Sequence, residues 1–169
     1  MNVQEVQTFF AYNRWANRRL LEAAKRLSAE EIDRDLQASF VSIRGTLRHI
    51  LYGEHAWLRF WQDGSFLPNL LPTDLPDLPS IEAAWAELEK KQDAFTRELS
   101  NEQLSAQRSV RDKVYTLGEL IQHQLNHSTY HRGQVVLLLR QLGQKPPDTG
   151  FRLFLTESRQ GEMPRSLGS

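Results

Sequence analysis

Apolar residues recur at helical spacing through most of the chain, and the breaks between the runs mark off four long amphipathic segments. From about Val3 to Leu27, the side chains of Val6, Phe9, Phe10, Ala16, Leu20, Leu21, Ala24 and Leu27 share one face, the rhythm of a core-facing helix. Trp15 falls on the polar side of that helix, where an exposed indole marks a dimer surface or has no role. Ser28 with Glu31 forms a capping-box pattern that opens a short turn. Ser42 can cap a second helix whose core stripe is Ile43, Leu47, Ile50, Leu51, Trp57, Leu58 and Trp61. Gly64 and the proline-studded segment from Phe66 to Pro79 end it and make a long connection, to be read as a lid, a pocket wall or a plain crossover. Ser80 can cap a third helix running to about Leu99, Ser100 with Gln103 repeats the capping box, and Arg108 to Tyr115 reads as extended. Thr116 and Glu119 open the fourth helix, which Gly143 and Pro146–Pro147 stop, and Asp148 can cap a short last helix carrying Phe151, Phe154 and Leu155. The pattern predicts an all-α fold, a four-helix bundle with a long crossover between helices 2 and 3. Residues 1–160 form a single domain on this reading, and 161–169 a flexible tail.

The fourth helix carries His123, His127 and His131 within HQLNHSTYHRGQ. Imidazoles four residues apart lie one turn apart on the same side, so two neighbours can grip one ion. His123 and His131 stand roughly 12 Å apart along the axis, too far for both to reach a metal bound at about 2.0–2.1 Å. At about 100° per residue, the stripe of Leu117, Leu120, Ile121, Leu125, Val135, Leu138 and Leu139 contains His131 and has His127 near its edge, with His123 rotated outward. Gln124, Ser128, Arg132 and Gln134 also project within or beside this face, where unpaired polar groups are costly. On the second helix His55 lies with Arg44, Arg48 and Arg59 on the solvent side, whereas His49 lies among Thr46, Gly53, Ala56 and Phe60, where small side chains leave room for an imidazole. His49 is the best third ligand. Glu54 sits near the centre of the core stripe, where a carboxylate needs a cation or a metal, and is the reserve ligand or an acid/base group. Three imidazoles would leave a position open for water or substrate, the pattern of a catalytic site. Zinc or nickel suits that donor set.

Composition narrows the function classes. The 169 residues balance 21 Lys and Arg against 21 Asp and Glu, and no basic block stands out, so nothing argues for nucleic acid. No apolar run of about 18 residues occurs and the N-terminus lacks a signal-like pattern, so neither a membrane span nor secretion is expected and a cytoplasmic address follows. The chain has no cysteine, which rules out disulfides and protein thiolates. Any thiol chemistry must use an external thiol.

The stretches Tyr12-Asn13-Arg14-Trp15-Ala16-Asn17, Leu47-Arg48-His49-Ile50, Glu54-His55-Ala56-Trp57-Leu58 and His127-Ser128-Thr129-Tyr130-His131-Arg132-Gly133-Gln134, with the closing Pro146-Pro147-Asp148, resemble the DinB family of metal-binding four-helix bundles. The resemblance spans nearly the whole chain. It implies one divalent ion held by His49, His127 and His131, the same three that the helix wheels select. It further implies kinship with enzymes that use bacillithiol, mycothiol or glutathione-type thiols, among them S-transferases and a maleylpyruvate isomerase. A small-molecule substrate, a low-molecular-weight thiol as co-substrate and a homodimer are therefore expected. Around the triad, Asn13, Asn17 and Arg132 are candidates for contacts to a cofactor or substrate, and Glu54 and Tyr130, with Tyr52, for acid/base steps. A metal-dependent hydrolase and a non-enzymatic metal-binding stress protein are the alternative readings.

Overall fold

A computed structural model describes residues 1–66 and 74–161. Four long helices make the bundle: α1 (Val3–Ala24), α3 (Ile43–Asp63), α4 (Leu78–Glu98) and α6 (Leu117–Gln141). Short helices α2 (Ala29–Asp33) and α5 (Asn101–Ser105), a hairpin of β1 (Gln107–Val110) and β2 (Lys113–Thr116), and a closing helix α7 (Phe151–Gln160) complete it. Within the bundle α3 and α1 each pack against both α6 and α4, so all four long helices face one core. Val6, Phe10 and Leu20 of α1 meet Leu47, Ile50 and Leu51 of α3, Ile81, Trp85 and Leu88 of α4, and Ile121, Val135 and Leu139 of α6 in that core. The 3.6-residue period of each apolar stripe is satisfied at once.

Side-chain caps start most of the helices. Ser42 accepts from the Gly45 N–H at the start of α3, and Gly64, with φ of 77°, ends it in the left-handed conformation that glycine adopts without strain. Thr116 and Glu119 form the predicted box on α6, as do Ser28 with Glu31 and Ser100 with Gln103. Two predicted caps shift. Asp77, not Ser80, caps α4, accepting from the Ser80 N–H at 2.9 Å, and the Ser80 hydroxyl completes the box by accepting from the Asp77 N–H at 3.2 Å. Gly150, not Asp148, precedes α7, and the Asp148 carboxylate instead accepts from the Gly150 N–H at 2.7 Å. The extended segment is the hairpin, with Gln107 opposite Thr116 and Val110 opposite Lys113. Residues 67–73 of the connection predicted from Phe66 to Pro79 lie outside the described residues, as does the tail beyond Gly161.

Trp15 corrects the sequence expectation. Its indole is 8% exposed, packed edge-on against Phe154 at 5.8 Å, and its Nε1 donates to Glu157 at 2.8 Å. The same carboxylate accepts from Arg19, whose guanidinium lies 4.8 Å over the Trp15 ring. Helix α7 thus returns to cover the second face of α1, with Tyr12, Trp15 and Ala16 enclosing Phe154 in a satellite core. The polar neighbours that made this face look solvated are the partners of the covering helix.

Candidate metal centre

Packing α3 against α6 brings three imidazoles together. His49 Nε2 lies 3.0 Å from His127 Nε2 and 3.2 Å from His131 Nε2, and the three donor atoms all fall within 4.8 Å of one another. Donors bound tetrahedrally to one ion at 2.0–2.1 Å would stand about 3.3 Å apart, so the spacing fits a single small divalent ion. Each ring has a distinct support. His131 is held by Gln134, whose Oε1 lies 2.8 Å from Nδ1. A carbonyl oxygen only accepts, so Nδ1 carries the proton and Nε2 presents its lone pair to the cluster. His127 fits because the facing residue is Gly53, where a β-carbon would come within 3.0 Å of the imidazole Cε1. His49 is stacked on Phe40, with ring centroids 3.7 Å apart and an interplanar angle of 16°.

Burial favours the neutral, metal-binding form of these rings. Loss of water, reinforced by His131 and His127, lowers His49 to about 4. Burial, with contributions from His131 and His123 and an opposing pull from Glu54, lowers His127 to about 4 as well. In the unfolded chain both would titrate near 6.5. Between those values the unfolded chain binds more protons than the folded one, so folding stability rises with pH across the window. The chelator-treated protein is therefore expected to lose stability as pH falls from about 6.5 to about 4. Urea midpoints measured at half-unit steps of pH would show the slope, and a flat profile would mean that the rings are not desolvated.

Directly beneath the histidines lies a buried polar network with Glu54 at its centre, 1% exposed. Glu54 Oε1 accepts from Asn13 Nδ2 at 2.7 Å, Asn17 Nδ2 at 2.9 Å and Ser128 Oγ at 3.0 Å. Its Oε2 accepts from Trp85 Nε1 at 3.1 Å and Gln92 Nε2 at 3.4 Å. The counter-charge is Arg132, whose guanidinium donates to the carbonyl oxygens of Asn13 and Asn17 and, at 2.7 Å, to Thr129. Burial pushes Arg132 below the usual guanidinium range, while Tyr12 and Glu54 oppose that shift. Two asparagine amides therefore bridge a buried anion to a buried cation, and all four long helices contribute. The network explains why Gln124, Ser128 and Arg132 occupy the inner face of α6, with Gln124 donating to Ser128 at 2.8 Å.

The remaining predicted residues are spread around this centre. Glu54 is outside the converging donor set, because both its oxygens are held by the core amides, indole and hydroxyl, so its role as reserve ligand falls away. Asn13 and Asn17 each donate to Glu54 and accept from Arg132, so the hydrogen bonds of all three residues go to the core network and not to the histidines. Tyr130 is 68% exposed with its ring edge-on to His131 at 5.0 Å. His123 turns outward, edge-on to Trp57 at 5.3 Å. Tyr52 has a buried hydroxyl with no hydrogen-bond partner among the described residues. His55, expected in solvent, is half-buried and its pKa is lowered by that burial and by Lys91 and Arg59. Sequence reasoning missed Phe40, Trp85 and Gln92. Trp85 was readable as an apolar core position of the third helix, but nothing local announced its indole as a donor to Glu54.

A four-helix bundle that brings three histidines from two of its helices to one point defines a class: helical proteins with a potential metal centre on the inner surface of the bundle. Within that class the chain belongs to the DinB family, whose model matches residues 1–163. It is 28% identical over 166 residues to Protein DinB of Bacillus subtilis strain 168, a match spanning 89% of this chain and 95% of that one. The fold is shared with the crystal structure of a DinB-like protein from Bacillus subtilis, at 20% identity and a TM-score of 0.66 over 86% of this chain and 96% of the other. A DinB-like protein from Bacillus cereus gives 17% and 0.65 over 83% and 94%.

Proposed function

We propose that this chain is a metal-dependent enzyme that activates a low-molecular-weight thiol, of the bacillithiol, mycothiol or glutathione type, for transfer to a small electrophilic molecule. The observation that carries the reading is the convergence of His49, His127 and His131 without an acidic side chain in the set. Three neutral donors hold zinc or nickel while leaving at least one position open, as catalytic sites do and closed structural sites do not. An ion so held supplies Lewis acidity, lowering the pKa of a thiol or water at its open position. The residues of the chain supply orientation: Gln134 fixes the His131 tautomer, Gly53 admits the His127 ring, and the Glu54–Arg132 network fixes α3 against α6. Absence of cysteine means that the reacting sulfur comes from the co-substrate. Membership of the family supports a homodimer and a cytoplasmic setting as parts of the same proposal, and no described helix is long and apolar enough to cross a membrane.

The thiol reading is preferred to a hydrolase because, among the described residues, no carboxylate joins the histidine donor set as a general base. Glu54 is saturated by five donors, and Tyr130 is mostly in solvent. Zinc- or nickel-loaded protein is expected to consume thiol and a halogenated or epoxide electrophile together, with turnover lost when either thiol or metal is withheld. Ester or amide hydrolysis without added thiol would move the assignment to a metal-dependent hydrolase. Stoichiometric metal with neither activity would leave a non-enzymatic metal-binding protein.

A further inference from the structure

We infer that Phe40 is a positioning residue of the histidine centre, presented to it by a strained turn whose backbone is locked against α3. The inference rests on the metal-binding reading above and adds a residue that does not itself donate to an ion. Two rings of the triad touch Phe40: His49 face to face at 3.7 Å, and His131 edge-on at 5.4 Å with an interplanar angle of 71°. An imidazole on a helix is free to turn about its Cα–Cβ and Cβ–Cγ bonds. Gln134 removes that freedom from His131, whereas among the described residues no hydrogen bond from outside the cluster orients His49 or His127, and of these two rings only His49 has an aromatic ring stacked face to face on it. The stacked phenyl ring is what sets its plane.

The backbone around Phe40 is unusual. Gln37 and Val41 have φ of 57° and 66°, and in a β-branched residue such as Val41 a left-handed backbone is a genuine outlier. The Ser42 N–H donates to the Phe40 carbonyl at 2.7 Å around Val41, which is the hydrogen bond of a γ-turn and, with positive φ at its centre, the rare and strained form. That same carbonyl presses on Gly45, where any β-carbon would overlap it. A turn from Ala38 to Val41, closed by the Val41 N–H to the Ala38 carbonyl at 2.9 Å, thus holds Phe40 at its inner corner. Backbone strain of this kind persists where the surrounding structure demands it and clusters at functional sites. Here it aims one aromatic ring at two ligand candidates. Val41 itself is left 54% exposed, so burial of its side chain is not what holds the turn in this shape.

The test is titration of the chelator-treated protein with Co(II) alone, following both affinity and the visible d–d absorption, in wild type, Phe40→Leu, Phe40→Ala and Gly45→Ala. Wild type is expected to bind about one equivalent with the spectrum of a defined low-symmetry site. Outer-sphere residues that orient ligands change metal affinity by about 10- to 100-fold, so Phe40→Ala should weaken binding at least tenfold and shift the absorption bands. Phe40→Leu, which keeps an apolar side chain but not the flat ring, should keep the fold and still alter the bands. Gly45→Ala reaches the same result through the backbone, with the Phe40 side chain intact. Melting temperatures of the metal-free proteins separate misfolding from mispositioning. Wild-type binding with unchanged affinity and spectrum in a folded Phe40→Leu and Phe40→Ala would overturn the role of Phe40 while leaving the metal centre standing. Failure of wild type itself to bind Co(II) would overturn both.

Discussion

Replacing His127 with alanine should empty the protein of zinc or nickel. The wild-type chain, purified without chelator or polyhistidine tag, is expected to carry close to one ion per chain by elemental analysis, and the variant essentially none. The size of the effect follows from the donor count. With three imidazoles the ion keeps one open position, whereas His49 and His131 alone leave half of a tetrahedral sphere to water. Loss of one ligand also removes the geometric definition on which selectivity rests. An independent signal comes from mass action: an ion present at about a thousand times its Kd stabilises the folded state by about 4 kcal/mol. Added zinc or nickel should therefore raise the melting temperature of wild type by several degrees and leave that of His127→Ala unmoved. Should wild type arrive without metal and fail to take up either ion on titration, His49, His127 and His131 are packed polar residues and the proposed enzymatic function falls with them.

The sequence carried the bundle and the triad clearly because both are written in short-range periodicity. Helix α6 shows its inner face through Leu120, Ile121, Val135 and Leu139, and the rotation of His123 away from that face follows from angle alone. His49 could be chosen over His55 by the same reasoning, although the wheel exaggerated the solvent exposure of His55. What could not be read is whatever depends on a partner distant in sequence. Trp15 looked exposed because its cover, Phe154 and Glu157, arrives about 140 residues later. Glu54 was correctly marked as a carboxylate that needed partners, but five donors from α1, α4 and α6 satisfy it, and no spacing within α3 reveals them. Phe40 escaped notice because it lies between helices, where no periodicity operates, and because Gln37 and Val41 are not residues that announce a left-handed backbone. Gly45 was its one local sign, a glycine in a first helical turn where a better helix former would be expected.

Glu54→Leu is the substitution expected to cost the most stability outside the metal site. Leucine is branched and somewhat larger than glutamate, so some repacking accompanies the loss of the carboxylate, and Glu54→Gln serves as the near-isosteric control. Its removal strands the amides of Asn13 and Asn17, the Trp85 indole and the Ser128 hydroxyl, and leaves the Arg132 guanidinium buried without its anion. Breaking one side of a buried charge pair typically costs about 3–5 kcal/mol, because the remaining charge stays desolvated. For a chain of this size that corresponds to a fall of roughly 10 °C in melting temperature. Glu54→Gln retains one acceptor and the side-chain shape, and should lose about half as much. The decisive comparison is the double variant Glu54→Leu with Arg132→Met. If the two side chains act as a charge pair through the asparagine bridges, removing both should cost less than the sum of the single changes, by about 1–3 kcal/mol, the coupling expected of contacting network residues. All of these proteins are measured with chelator present, so that loss of metal cannot mimic loss of packing. Strict additivity would show that Glu54 and Arg132 stabilise α3 and α6 independently. A Glu54→Leu protein as stable as wild type would show that the carboxylate is held in the core for a purpose other than stability, and would return it to consideration as a participant in the chemistry beside His127.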